Sequence, residues 1–167
     1  CRVALKYRVA SVCIKPYYVA RAAELLAGSG VATGTTIGFP HGGHLTSVKL
    51  FESERALDDG AKELDMVVNI GQVLAGQWDA VTREISDIVR LAHGREAIVK
   101  VIFENCYLKD EHKIRLCGAC AEAQADYVKT STGYGTSGAT VEDLKLMRKH
   151  TPPHIGVKAA GGVRDLD

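Results

Sequence analysis

The sequence predicts an α/β protein, a (β/α)8 barrel of the TIM type with about six of its eight β/α units present. Three observations predict this fold. Short apolar segments recur along the chain, segments with helical spacing lie between them, and glycine-rich polar loops follow nearly every apolar segment. Alternating strands and helices indicate a parallel sheet covered by helices. Loops after nearly every strand favour a barrel, because an open sheet concentrates its ligand loops at one switch point.

Six apolar segments predict six strands. All are short and most are rich in β-branched residues, which is typical of strands buried in a parallel sheet. They are residues 9–14, 31–37, 64–70, 98–103, 127–130 and 155–159. Because these segments are so apolar, we expect neither face of the sheet to meet water.

Five helices are predicted between the six strands. Apolar residues at helical spacing are clearest in 19–26 and 81–92. Residues that favour helix N-termini mark four starts. These are Thr46 or Ser47, Asp79, Asp110 and Thr140. Asp143 follows Thr140 at the spacing of a capping box.

The chain is expected to form a single partial barrel domain over residues 1–167. No linker, low-complexity tract or shift of composition divides it. A closed barrel of this type has eight strands and typically about 250 residues, so two β/α units are unaccounted for. We therefore expect the sequence to be part of a longer barrel.

The composition excludes a general affinity for polyanions. Twenty-one Lys and Arg residues balance 20 Asp and Glu residues, for a net charge of +1, so neither nucleic acid nor a membrane is an expected partner. No apolar run of about 18 residues occurs. The five cysteines are odd in number and irregularly spaced, which favours reduced thiols and a cytoplasmic location.

Four charged residues lie inside otherwise apolar strands. They are Asp65, Lys100, Lys129 and Lys158. A single such lysine could extend its amine to solvent or pair with an acid. Three together favour another role, because burial and a neighbouring ammonium both favour the neutral, nucleophilic form of an amine. This pattern predicts catalysis through an imine, with Lys129 as the nucleophile.

Glycine-rich segments directly follow two of the lysine strands. They are residues 130–135 and 160–164, and the second ends in Arg164. Loops of this kind present backbone N–H groups to an anion, and barrels often hold a phosphate in their last loops. Arg164 would add a charged hydrogen bond. Ordinary tight turns remain the alternative for each loop.

Three cysteine and histidine patterns are given little weight. Cys117 and Cys120 have the spacing of a metal or redox pair but lie within a predicted helix. His41 and His44 flank two glycines and could bind zinc with a third ligand, but a solvated loop explains them. Cys13 is expected to line the pocket or, more simply, to be a small buried apolar residue.

Six ordered motifs closely resemble the deoxyribose-phosphate aldolase family. They are VKTSTG at 128–133, VKAAGGVR at 157–164, IGFPHG at 37–42, ELDMVVNIG at 63–71, SVCI at 11–14 and VIFENC at 101–106. These motifs span essentially the whole chain in the order found in the family.

The resemblance implies a class I aldolase that uses no metal and no cofactor. Such an enzyme interconverts 2-deoxy-D-ribose 5-phosphate with glyceraldehyde 3-phosphate and acetaldehyde, so the expected partners are sugar phosphates and aldehydes. By motif, Lys129 resembles the Schiff-base lysine, Lys158 the lysine that tunes it, and Asp65 the proton-relaying acid. The residues expected to contact substrate are Cys13, Lys100, Thr130, Gly133, Gly161, Gly162 and Arg164.

The resemblance also implies that the first and last β/α units lie outside this sequence. One local departure is Tyr134, where some members of the family carry a lysine that could touch the phosphate. Phosphate binding is therefore less well specified by the motifs than the imine chemistry.

Three other functions are left open by the residues. A sugar-phosphate isomerase on the same barrel would use a carboxylate base, another class I barrel aldolase would keep the imine, and a phosphate-binding protein would need neither. Borohydride trapping separates the isomerase from the aldolases. The oligomeric state is not specified, and a homodimer is one option.

Overall fold

The computed structural model describes residues 1–163, in which six parallel strands form one sheet. The strands are β1 (Ser11–Ile14), β2 (Ala32–Ile37), β3 (Glu63–Val67), β4 (Ile98–Ile102), β5 (Tyr127–Lys129) and β6 (Gly156–Lys158). They are hydrogen-bonded in sequence order, and the sheet curls into part of a barrel. The predicted α/β class, the six strands and the partial barrel are confirmed, with each strand slightly shorter than expected.

Seven α-helices are present in the described residues. They are α1 (Arg2–Tyr7), α2 (Val19–Leu26), α3 (Thr46–Asp58), α4 (Ile70–Leu74), α5 (Trp78–His93), α6 (Asp110–Glu122) and α7 (Val141–His150). The five predicted helices are α2, α3, α5, α6 and α7. The short helices α1 and α4 were not predicted, because each is too brief to show an apolar period. None of the helices within residues 1–163 is long and apolar enough to cross a membrane.

The predicted helix starts differ in their chemistry. The Thr140 hydroxyl accepts a hydrogen bond from the Asp143 backbone N–H at 3.1 Å, which confirms the cap of α7. The Asp143 carboxylate instead accepts a bond from Lys113 of α6 at 2.6 Å. The predicted start of α3 at Thr46 is confirmed, although Thr46 is the first helical residue rather than the cap, and its hydroxyl donates to Glu84 at 3.3 Å.

The sheet has one apolar face and one mostly polar face, and the central strands β3 and β4 are largely buried on both faces. Alternate strand residues pack against the helices in the main hydrophobic core. These are Leu64, Met66, Val99, Val101, Val128 and Val157. The residues between them line the concave face. Most of these are polar, and they include Cys13, Glu63, Asp65, Lys100, Lys129 and Lys158. The apolar neighbours of each charged residue therefore face the helices.

A buried ion pair lies on the helical side of the sheet. Lys49 of α3 donates to Glu84 of α5 and to the carbonyl oxygen of Val67, both at 2.8 Å. Lys49 is 0 % exposed and Glu84 is 1 % exposed. Burial lowers the pKa of Lys49, although the neighbouring Glu84 carboxylate opposes this effect. The pair joins two helices to the carboxyl end of β3.

Replacing Lys49 with methionine is expected to lower the free energy of unfolding by about 3–5 kcal/mol, because Glu84 would remain as an unpaired buried charge. The double variant Lys49→Met/Glu84→Gln should recover part of this loss. Urea denaturation measures the free energy of unfolding of both variants. Glu24→Gln, which removes an exposed ion pair with Arg21, is the control and should lower that free energy much less. Equal stability of Lys49→Met and the parent would contradict this view of the pair.

Candidate active site

One buried carboxylate on the concave face holds two lysines. Lys129 Nζ donates to Asp65 Oδ2 at 2.5 Å, and Lys100 Nζ donates to Asp65 Oδ1 at 2.9 Å. Asp65 is 2 % exposed and Lys129 is 9 % exposed. In the register of β3 and β4, Asp65 lies directly beside Lys100. Three of the four charged strand residues predicted from the sequence therefore form one cluster.

Glu63 adds a second carboxylate to this cluster and was missed from the sequence. Its Oε2 accepts a hydrogen bond from Lys100 Nζ. Burial acts to lower the pKa of Lys100, but the Asp65 and Glu63 carboxylates outweigh it and raise the pKa above its usual value. Lys100 is thus held as a fixed positive charge beside Asp65. Because Glu63 precedes Asp65 by two positions in a strand, the alternation of side chains could have identified it.

Lys158 lies beside Lys129 on the neighbouring strand. The two residues are paired in the register of β5 and β6, and paired residues of neighbouring strands are about 4.8 Å apart. Lys158 is exposed and makes no ion pair among residues 1–163. The expected adjacency of the two lysines is therefore present in the backbone.

Thr130 joins the two glycine-rich loops. Its hydroxyl donates to the Ala160 carbonyl at 3.1 Å and accepts from the Ala160 N–H at 3.0 Å. The side chain is completely buried. The sequence predicts a substrate contact for Thr130, whereas these bonds give its hydroxyl a role in holding the loops together.

The glycines of the two loops come together above the lysines. A Cβ atom added to Gly161 would lie 3.5 Å from the Cα of Gly133, and Gly133 and Gly162 have open space around them. All three have positive φ values, between 76° and 85°, which favour glycine. The space beside Gly133 and Gly162 is thus open to a ligand, whereas the Thr132 and Tyr134 N–H groups on either side of Gly133 are bonded within the protein. Arg164, the predicted charged partner of that anion, lies outside the described residues.

Cys13 lines a cavity at the carboxyl ends of β1 and β2. The cavity has a volume of about 320 Å³ and is also lined by Thr36, Phe39 and Tyr134. The expectation of a buried apolar cysteine is wrong, since Cys13 is exposed to the concave side. Partial burial and then the Asp65 carboxylate raise the pKa of the thiol. Cys13 therefore faces the same space as Asp65.

The Cys13 thiol is expected to react with iodoacetamide at a more alkaline pH than free glutathione. Only the thiolate reacts, and a raised pKa lowers the thiolate fraction at any given pH. Replacing Asp65 with asparagine should shift the pH midpoint of alkylation downward, because a negative charge is removed. Peptide mass spectrometry over a pH series gives both midpoints. A parent midpoint at or below that of glutathione would contradict the prediction.

The cysteine and histidine patterns given little weight take no part in the ion pairs of this cluster. Cys117 and Cys120 are buried within α6, and burial raises the pKa of Cys120 well above its usual value. His41 and His44 are exposed. Among residues 1–163, no group of three His, Cys, Asp or Glu side chains is arranged to hold a metal ion.

Comparison with known proteins gives consistent matches. The family model described as DeoC/LacD family aldolase matches residues 1–167. A deoxyribose-phosphate aldolase of Rhodopirellula baltica is 62% identical over 164 residues, which cover 98% of this chain and 68% of that protein.

Two solved structures share the fold closely. A putative deoxyribose-phosphate aldolase from Coccidioides immitis has a TM-score of 0.92 and 38% identity, covering 98% of this chain and 65% of that chain. The deoxyribose phosphate aldolase from Aeropyrum pernix, described as having a unique tetrameric structure, has a TM-score of 0.89 and 37% identity over 98% of this chain and 69% of that chain. The chain thus spans about two thirds of the length of these relatives.

Proposed function

The chain belongs to the DeoC/LacD family of aldolases, and we propose that it cleaves 2-deoxy-D-ribose 5-phosphate reversibly through an imine on Lys129. The products are glyceraldehyde 3-phosphate and acetaldehyde. The observation that carries the proposal is the buried Lys129 amine, 2.5 Å from the Asp65 carboxylate and directly before a glycine-rich loop. The domain proposed for this activity is the partial barrel of residues 1–167.

The proposed reaction begins at the Lys129 amine. In its neutral form Nζ attacks the aldehyde carbon of the open-chain sugar, and loss of water gives an iminium ion. Removal of the proton from the C3 hydroxyl then breaks the C2–C3 bond. The bond electrons pass to the iminium as an enamine, and glyceraldehyde 3-phosphate leaves. Protonation of the enamine at C2 and hydrolysis release acetaldehyde and restore the amine.

Asp65 is proposed to move the protons in these steps. Its carboxylate is already bonded to Lys129, so it is within reach of the groups that form on Nζ. Lys100 keeps a positive charge beside it, which stabilises the carboxylate between proton transfers. Lys158 is proposed to favour the neutral form of Lys129, because a second ammonium on the adjacent strand repels the first.

The phosphate is proposed to bind at the loops that contain Gly133, Gly161 and Gly162. The geometric support is the approach of Gly161 to Gly133 and the open space at Gly133 and Gly162. The backbone N–H groups of these three glycines can then donate to the phosphate oxygens, since those of Thr132 and Tyr134 are bonded within the loop. Arg164 follows this second loop in sequence and is proposed as a charged donor. Cys13 is proposed to line the aldehyde end of the pocket.

The proposal is tested by trapping the imine. Incubating the whole protein with acetaldehyde and borohydride should attach one reduced two-carbon group to Lys129, as mapped by peptide mass spectrometry. Labelling of Lys100 or Lys158 with Lys129 unmodified would overturn the assignment. An isomerase would give no adduct, and another class I aldolase would give the adduct without cleaving 2-deoxyribose 5-phosphate.

We also propose that the protein assembles as a homo-oligomer in the cytoplasm. The Aeropyrum pernix relative is described as tetrameric, whereas the sequence alone leaves a homodimer open. All five cysteines are free thiols, as is usual in a reducing compartment. Light scattering of the purified protein distinguishes a dimer from a tetramer.

A further inference from the structure

Glu104 lies two residues after the end of β4 and contacts the glycine-rich loop that follows Lys129. Its side chain is 2 % exposed, and its φ of 49° places a residue other than glycine in the left-handed region. Such a conformation persists only where the surroundings hold it. Glu104 has no part in the proposed imine chemistry or in direct contact with the phosphate.

Both oxygens of the Glu104 carboxylate bind Thr132. Oε1 accepts the Thr132 backbone N–H at 3.2 Å, and Oε2 accepts the Thr132 hydroxyl proton. The Thr132 Oγ1 in turn accepts the Tyr134 backbone N–H at 3.0 Å. The chain of donors therefore runs from Tyr134 through Thr132 to Glu104. These bonds hold Thr132 and Tyr134 in place, and Gly133, the glycine proposed to receive the phosphate, lies between them.

The backbone around Glu104 is joined to the same segment. The Phe103 N–H donates to the Lys129 carbonyl at 3.0 Å, and the Asn105 N–H donates to the Thr130 carbonyl at 2.9 Å. The loop also packs closely on the acid, since a Cβ atom added to Gly135 would lie 3.2 Å from the Glu104 carboxyl carbon. Hydrogen bonds thus hold this segment at Lys129, Thr130 and Thr132, and Gly135 packs against the Glu104 side chain.

We propose that Glu104 is a positioning residue that sets the shape in which residues 132–135 receive the phosphate of the substrate. A carboxylate suits this role because two donors of Thr132 converge on it and an ionised carboxylate only accepts. A glutamine would offer one acceptor and would turn a donor toward the Thr132 hydroxyl. The inference rests on the proposed function, since it concerns the recognition of a phosphorylated sugar.

A purely structural role would have a different consequence. If Glu104 served only to stabilise the fold, its loss would affect phosphorylated and unphosphorylated sugars alike. If it positions the phosphate loop, the loss should fall on the phosphorylated sugar, because 2-deoxyribose has no group for the loop to bind. The ratio of kcat/KM for the two sugars therefore separates the roles.

The test compares four variants of the whole protein. In Glu104→Gln and Thr132→Val, the ratio of kcat/KM for 2-deoxyribose 5-phosphate over 2-deoxyribose should fall by about tenfold or more, since a small misplacement of a binding group is costly. Thr132→Ser keeps the hydroxyl and should keep the ratio. Glu84→Gln, a buried carboxylate on the helical side of the sheet, is the control and should also keep it.

Calorimetric titration with inorganic phosphate provides a second measurement that does not depend on turnover. The Kd should rise by about tenfold in Glu104→Gln and Thr132→Val and stay unchanged in Thr132→Ser. If Glu104→Gln fails to fold, the result for Thr132→Val decides between a positioning and a structural role. An unchanged ratio and an unchanged Kd, or equal losses on both sugars, would overturn the proposal. A parent protein that binds phosphate but cleaves neither sugar would overturn the proposed function alone, and the Kd values would still decide the role of Glu104.

Discussion

Replacing Lys129 with methionine is expected to reduce cleavage of 2-deoxyribose 5-phosphate by about 10⁴-fold or more, as is usual when a covalent nucleophile is removed. Methionine keeps an apolar chain of similar size but has no amine to form an imine. The fold should survive, because Asp65 retains Lys100 as a partner at 2.9 Å. Steady-state kinetics measures the loss, and circular dichroism verifies the fold.

Lys113→Met is the matched control for this variant. Lys113 is 8 % exposed and bonds to Asp110 and Asp143 on the helical layer, so it resembles Lys129 in burial and in pairing. Its replacement should lower the unfolding temperature and leave turnover nearly unchanged. If Lys129→Met kept turnover within tenfold of the parent, the imine would have to form elsewhere.

Replacing Asp65 with asparagine is expected to lower turnover by about a hundredfold or more, which is the usual effect of removing a general acid-base group. Asparagine is nearly isosteric with aspartate, so the packing on β3 should be preserved. It cannot carry a proton between the reacting groups, and it leaves Lys129 and Lys100 without a shared negative charge. The loss should appear mainly in kcat, measured by steady-state kinetics.

Asp143→Asn provides the comparison, because Asp143 also accepts a bond from a largely buried lysine, Lys113. This variant should turn over at nearly the parent rate. Borohydride trapping adds a further distinction: Asp65→Asn should still form an adduct with acetaldehyde at Lys129, only more slowly. Normal turnover in a folded Asp65→Asn protein would reduce Asp65 to a structural partner of the two lysines.

The order of strands and helices, and the residues that stand out chemically, follow from the sequence alone. Strand side chains alternate between two faces, so a charged residue among apolar neighbours is visible locally, as Asp65, Lys129 and Lys158 are. The apolar residues on both sides of each charge did not reveal that the two faces of the sheet differ. The alternation in fact leaves one face apolar and the other polar.

The contacts between these residues follow only from the three-dimensional fold. Asp65 and Lys129 are 64 positions apart, and Glu104 and Thr132 are 28 positions apart, so no local pattern links either pair. Their contact depends on the register between strands and on the curvature of the sheet, which are set by packing of the whole helical layer. The same holds for Lys49 and Glu84, which lie on separate helices. Burial makes such contacts selective, because a charge removed from water must find its partner in the fold.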